Sequence, residues 1–600
     1  MILSKTIRSA LVILLLWSSA SFAFDTLKID VTLDTAKKVI GGYVKYTLPA
    51  IPMVSSYEFQ LFPNVYSNAD SPYLKNFPHL LEFFRKNNGW GSMVIDSVLI
   101  DNKNASDSLK IDYTKGVIRS SDYTALNNKT VVIFFKTRIP QMGDRLSYSG
   151  SNYLLDGWFP APAILQDNGN WYNPKYGPFT ELVGDYFQFE IDIRTPQNFK
   201  VAAAVPSVAT PLGDASTNHR FTFGPAHDFA LALSPDYFID SSLMAGKSVR
   251  ILYRDFEWPA LDRLKTTVSN ALEFMQKEIG PYHYDNLTIA TANIADAGGV
   301  EFPGMIALSL PYGGMAVGRI YEMLVVHETI HQWFYGMIGS DQIETPWMDE
   351  SVSSYFSMRV LERYWGSDAN LLDFGGFRFS ERDLLRSMSE TPLGGSSINR
   401  PAYSFPGEAD YFGTIYGRGA LAIETIDRLM GDSLSSVFWP RYFKTYLFKH
   451  PASDDFLNLI GETAGRTVRL AAEELLNNSD DIDYAIYDLS NRKVDSMNYE
   501  AHLTLKRRGM LESPVDYRLI LLNGDTLDYM WAPQYDSETK VHRLPSPAIS
   551  AIVDPDNIYA IDKNLFNNSI MINGDGKPGF RLSSGITFMI ESLLSFIGGM

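Results

Sequence analysis

The chain has 600 residues, enough for about three to five domains, and its 20% charged, 45% hydrophobic and 13% aromatic content is that of a chain folded nearly throughout. A formal charge of −17 repels a phosphate backbone, so nucleic acid is a poor partner. With no cysteine, disulfides, thiolate metal sites, iron–sulfur clusters and a cysteine nucleophile are excluded, and any metal must be held by His, Asp or Glu.

Residues 1–23 predict an export signal: Lys5 and Arg8 precede the apolar run Ala10–Trp17, and Ser21-Phe22-Ala23 offers small residues for cleavage. The run falls short of the roughly 20 apolar residues that cross a bilayer. The mature chain is therefore expected to start near Phe24 and to be periplasmic, secreted or surface-associated. From Phe24 to about Ala245 the pattern is mostly of period two: Leu27, Ile29, Val31 and Leu33 alternate with polar residues, as do Phe187, Phe189, Ile191 and Ile193, while Val131–Phe135 is continuously apolar. This predicts a β-rich domain over 24–245.

The period changes near Trp258. Leu261, Leu264, Val268, Leu272, Met275 and Ile279 share one helical face, which Gly280-Pro281 ends. Further helices are expected at Arg319–Tyr335, Asp349–Tyr364, Tyr416–Met430 and Asp455–Ala464, with helical patterning to about Asp488. A mainly α domain over 246–495 fits them. Strand signals then return: Val515, Tyr517, Leu519 and Leu521 alternate into the hairpin signal Asn523-Gly524, and Ala551–Val553 precedes Asp554-Pro555. These predict a small β-sandwich-like domain over 496–569. In the last segment, 570–600, Ile586, Met589, Ile590, Leu593, Leu594 and Ile597 recur at helical spacing with Glu591 among them. That segment reads as a helix docked on the protein's own surface, with peripheral membrane contact as the alternative. The fold class is α+β and multidomain.

The chemistry is concentrated in His327-Glu328-Thr329-Ile330-His331, inside a helical stretch. Residues four apart stand one turn apart on the same helix face, so the two imidazoles can bind one cation, with zinc the natural occupant. Glu328 lies beside that face, where its carboxylate can reach a water without being a ligand. Catalytic zinc usually takes three protein ligands, and Glu350 can supply the third: 18 residues separate it from His331, room for a helix end, a loop around Gly336 and Gly339, and a second helix. Asp349, next to it, is a plausible acceptor from a ligand imidazole.

This segment, HETIHQWFYGMIGSDQIETPWMDES, resembles the zinc aminopeptidase family that includes aminopeptidase N and leukotriene hydrolase, the gluzincin metallopeptidases. Gly298-Gly299-Val300-Glu301-Phe302 is similar to the family's Gly-Ala-Met-Glu-Asn motif, and Glu301 falls 26 residues before His327. Tyr416-Gly417-Arg418-Gly419 is similar to its Tyr-x-Lys-Gly segment, 66 residues after Glu350. The likeness is strong from about Ala260 to Met430; the flanking β-domains match only in order and size. It implies a thermolysin-like catalytic domain, one zinc per chain on His327, His331 and Glu350, and Glu328 as general base. It further implies Tyr416 as donor to the oxyanion, with Tyr411 the fallback, and Glu301 beside Gly298 and Gly299 as the partner of a substrate's α-ammonium. A second group from the N-terminal domain often assists there; Asp156, ahead of Gly157-Trp158-Phe159-Pro160, is the candidate.

The expected activity is removal of N-terminal residues from peptides with a free N-terminus. Phe302 stands where the motif has Asn, which predicts the loss of a polar group near the substrate amine, and Val300 and Arg418 replace Met and Lys. An endopeptidase without N-terminal specificity is therefore an alternative. A non-catalytic peptide-binding homologue is a weaker one, and nothing in the chain asks for epoxide hydrolysis.

Overall fold

The computed structural model describes residues 24–572 apart from 49–53, 55, 120–125, 127, 167, 255–260, 296–297, 310–318, 367–368, 375–376, 391–396, 480 and 497. The leader and the apolar helix expected toward the C-terminus lie outside the described residues. Among those described, no helix is long and apolar enough to cross a membrane.

The N-terminal unit is β-rich. Thr26–Asp34 pairs antiparallel with Val39–Thr47 and parallel with Phe187–Pro196, at the centre of an eight-stranded sheet. Its four alternating apolar residues, Leu27 to Leu33, are all buried, as the period-two pattern requires. Val131–Phe135, continuous in sequence, lies within the strand Thr130–Arg138 and alternates between buried and half-buried positions. Smaller sheets and a helical insertion, α1 (Pro78–Asn87), fill out the unit.

The middle unit opens on a five-stranded sheet with spatial order Phe238–Met244, Lys247–Tyr253, Asn286–Thr291, Met305–Leu308, Gly299–Phe302. Gly299–Phe302 is its edge strand. Packed against the sheet are α2 (Leu261–Glu278) and α3 (Ile320–Ile330); α4 (Trp347–Trp365) packs on α3, followed by α5 (Glu381–Ser389) and α6 (Glu408–Phe412). A π-helical turn over Gly413–Arg418 runs into α7 (Gly419–Tyr446), which kinks at Gly431 (φ 71°). Two amphipathic helices, α8 (Ser453–Ala464) and α9 (Arg466–Asn477), complete the bundle. The third unit is a pair of antiparallel sheets built from Tyr484 onward. There Val515–Leu521 and Thr526–Trp531 form the hairpin expected at Asn523-Gly524, with Gly524 at φ 91°.

Both interior boundaries read from the sequence need moving, for one reason. Each falls on a hairpin turn that resembles a linker. Ala245 and Gly246 both have positive φ and join two paired strands, so Phe238–Met244 belongs with the five-stranded sheet rather than with 24–245. Likewise the turn near Asp495 joins Tyr484–Lys493 to Tyr499–Arg507, so the third unit starts about a dozen residues before 496. At its far end, Ser569–Met571 is a strand of that unit's sheet, not the start of a helix at 570. The strands at 286–308 were also hidden in sequence, because short apolar runs do not distinguish a buried strand from a helix turn.

Candidate active site

α3 ends where the histidines begin their work. Val325, Val326 and Ile330 face the core, leaving His327 and His331 one turn apart on the opposite face. α4 starts behind Pro346, whose fixed φ suits a helix start, and Asp349 and Glu350 occupy its first turn, where the helix dipole favours carboxylates. α4 is buried on nearly all sides, so these two acids are fixed by the core of the unit.

The two helices bring three donors together. His327 Nε2 lies 3.1 Å from His331 Nε2 and 3.1 Å from Glu350 Oε2, and His331 Nε2 lies 3.3 Å from Glu350 Oε2. A tetrahedral zinc with donors about 2.0–2.1 Å away would space them roughly 3.3 Å apart, so this face fits zinc, and two neutral nitrogens with one carboxylate oxygen suit that ion. Asp349 accepts from His331 Nδ1 at 2.5 Å, leaving Nε2 to point at the other donors. Ser353 Oγ also lies 3.2 Å from that Nδ1. Burial opposes a proton on His331, but Asp349 and Glu350 outweigh it and hold the imidazole well above its ordinary range. Burial works against Glu350 ionising as well; His331 and His327 override it and keep this carboxylate well below the usual range.

A cavity of about 580 Å³ opens over these donors, and Glu328, Glu301, Gly298, Gly299, Tyr411 and Tyr416 line it. Burial, reinforced by Glu301, pushes Glu328 well above the usual carboxylate range, and its Oε2 has no hydrogen-bond partner among the described residues. The edge strand passes so close that a Cβ on Gly299 would sit 2.6 Å from Glu328 Oε1. Only glycine allows that approach. Tyr416 projects from the π-helical turn and donates to Glu350 Oε1. The turn itself is held against α4 by Ser351, whose Oγ donates to the Ile415 carbonyl at 2.6 Å. Tyr411 is instead stacked on Phe179, with centroids 5.0 Å apart.

The wall opposite comes from the N-terminal unit. Arg145, nearly fully buried, donates to Glu301 Oε1 at 3.0 Å and also to Glu181. Burial would raise Glu301, yet Arg145 outweighs it and holds this carboxyl below its ordinary value. Burial pushes Glu181 beside it well above the usual carboxylate range in spite of Arg145. Neither Arg145 nor Glu181 carries a sequence signal: they lie 156 and 120 residues before Glu301 in stretches without a motif. Asp156, the residue expected here, is in another place. It is fully buried behind Arg145, 3.5 Å from Nη1, and does not line the cavity; the acids of this unit that do are Asp144 and Glu181. Phe302 also departs from expectation. Its side chain points away from the cavity into a core cluster with Leu154, Val300 and Ala307, because alternate residues of a strand face opposite ways. The substitution therefore leaves the cavity wall untouched.

Two histidines and a glutamate on consecutive helices, with a further glutamate beside them in a cleft, form a candidate metal centre. Residues 264–475, the stretch that carries the metal donors and most of the helices, match the peptidase family M1 domain. Over 151 residues the chain is 25% identical to glutamyl aminopeptidase of Bitis rhinoceros, a match covering 24% of this chain and 15% of that protein. Over 152 residues it is 22% identical to aminopeptidase N of Lactococcus lactis subsp. lactis, covering 24% and 17%. These curated relatives are thus matched over less than a fifth of their length. Among solved structures, Legionella pneumophila aminopeptidase A in complex with aspartic acid shares the fold at a TM-score of 0.64 and 10% identity, over 90% of this chain and 59% of that one. The M1 zinc metallopeptidase of Deinococcus radiodurans shares it at 0.55 and 13% identity, over 76% and 93%.

Proposed function

We propose that the protein is an exported zinc aminopeptidase that removes single residues from the free N-terminus of peptides. The observation that carries this reading is the placement of an ionised Glu301, fixed by Arg145, within a few ångströms of the donor set: one oxygen each of Glu301 and Glu328 and one nitrogen of His331 lie within 4.8 Å of one another. A substrate ammonium paired with Glu301 brings the first peptide bond, and no later one, to the metal ligands.

His327, His331 and Glu350 would hold zinc, which when bound polarises a carbonyl and lowers the pKa of water toward about 7. Glu328 accepts the proton of the attacking water and passes it to the leaving amine, a role suited to a carboxyl already pushed upward by burial. Tyr416 turns its hydroxyl from Glu350 to the oxyanion that develops on the former carbonyl oxygen. The edge strand Gly299–Phe302 offers unpaired backbone on its cavity side, so an extended peptide can lie along it as an added strand. Export is supported by the basic, apolar and small-residue order of residues 1–23.

A panel of aminoacyl chromogenic amides and matched N-acetylated peptides tests the reading, with and without a chelator. Cleavage of free amines only, abolished by chelation and restored by zinc, is expected. Equal cleavage of acetylated peptides would leave an endopeptidase, and activity in metal-free protein would remove the zinc role.

A further inference from the structure

One face of α5 lines the cavity at helical spacing: Glu381, Leu384, Leu385 and Met388. Three of the four are apolar. Glu381, on the first turn, is the exception, a carboxylic acid that is only 4% exposed. Ser357 hydrogen-bonds one side of it, and its Oε2 has no partner among the described residues. Burial pushes this carboxyl up to about 8, with Glu362 adding to the shift. None of the catalytic steps above uses it. A buried carboxyl with one oxygen unpaired is costly, and its presence in a ligand-accessible wall asks what completes it.

Its position along the helix pair answers which part of a peptide reaches it. Glu301 clusters with Glu328 and His331, at the C-terminal end of α3. Glu381 is tied to Ser357, whose Oγ donates to the Met323 carbonyl, one turn before His327. The metal donors therefore lie between the two acids. The edge strand follows the same direction, with Gly298 against Leu324 and Gly299 against Glu328. A peptide whose amine is on Glu301 passes the donors and places its second residue over Leu324, with Glu381 beyond. Ser357 is seven residues past Glu350 on α4, about 10 Å along the helix axis, so a short side chain does not span the gap but a long one does. The charge of the cavity selects among long side chains. Seven carboxylic acids line it, Arg145 is the single Arg or Lys among the lining residues, and Arg145 is already engaged.

The geometry points to Glu381 as the residue that selects a lysine or arginine at the second position of the substrate, its carboxylate pairing with the ammonium or guanidinium at the end of a stem that packs on Leu384 and Leu385. This rests on the aminopeptidase reading, and it concerns the side chain that leaves with the shortened peptide rather than the one cleaved off. Pairing a buried acid with a cation stabilises only the substrates that carry it, while an uncharged stem leaves the acid as it was.

The test compares Ala-Lys-Ala with Ala-norleucine-Ala, which share a stem and differ in the terminal ammonium. Wild-type kcat/KM is expected to favour the lysine peptide at least about tenfold, and Glu381→Gln to bring the ratio within about threefold of unity. A wild-type ratio near one overturns the inference, as does a preference that survives Glu381→Gln. Calorimetric binding of both peptides to the zinc-loaded Glu328→Gln variant supplies a readout that needs no turnover. About tenfold tighter binding of the lysine peptide is expected there, and equal affinities overturn the assignment. If wild type cleaves neither peptide, the aminopeptidase reading fails while the binding comparison still decides whether Glu381 recognises a cation.

Discussion

The two sides of the cavity are built in different ways. The metal side is local: two ligands and the base sit on one helix, the third ligand and its neighbour Asp349 open the next, and 18 residues separate the halves. The amine side is assembled from distant parts of the chain, with Arg145 and Glu181 of the N-terminal unit meeting Glu301 of the catalytic sheet. On the proposed reading, chemistry common to all substrates resides in a compact segment, whereas the distinction between a peptide's end and its interior depends on how two units are docked.

That contrast can be broken from the metal side with the largest effect. His327→Ala or Glu350→Ala should lose zinc, read by metal analysis, and lose turnover on every substrate alike. Glu328→Gln should keep its zinc while kcat falls at least about a hundredfold, again whatever the substrate. From the amine side the loss should be selective. Glu301→Ala is expected to raise KM and lower kcat/KM roughly ten- to hundredfold on free-amine amides, with zinc content unchanged, because both binding and orientation are lost. Loss of zinc from Glu301→Ala would show that the two sides are not separable. Gly299→Ala probes the seam between them: a Cβ against Glu328 should displace the base and cost about tenfold in kcat, with the metal retained.

The smallest effect concerns stability. Glu381, pushed up to about 8 from an ordinary value of 4.5, holds its proton in the folded chain where the unfolded chain has released it. Protonation thus favours the fold at low pH, and wild type loses that contribution as pH rises from about 4.5 through 8. Glu381→Gln does not titrate. Its melting temperature relative to wild type should therefore climb between pH 5 and pH 8.5, measured in the ligand-free protein; a difference that stays flat would show an acid without the burial shift.

The same contrast explains what could be read in advance. The donor set was legible because helical spacing converts sequence distance into geometry directly, and Tyr416 because a short motif marks it. The four strand residues from Leu27 to Leu33 were legible for the matching reason, a period of two. Arg145 and Glu181 were not, since no periodicity connects them to Glu301, and Asp156 stood out only as an acid ahead of Gly157-Trp158-Phe159-Pro160. Its burial behind Arg145 is a long-range packing outcome. The domain limits at 245 and 495 failed on chemistry that hairpins and linkers share, namely residues that tolerate positive φ or cap a turn.

Arg418 has a consequence for modularity. Its guanidinium leaves the π-helical turn that carries Tyr416 and donates to the carbonyls of Asn478 and Ser479, the segment that leads into the third unit. The segment between α9 and the terminal β-unit thereby anchors the turn that carries Tyr416. An engineer who trims the chain after α9 removes the two acceptors that fix the base of that turn. Shuffling of the β-unit between relatives must accordingly keep these two backbone oxygens, whatever the side chains around them.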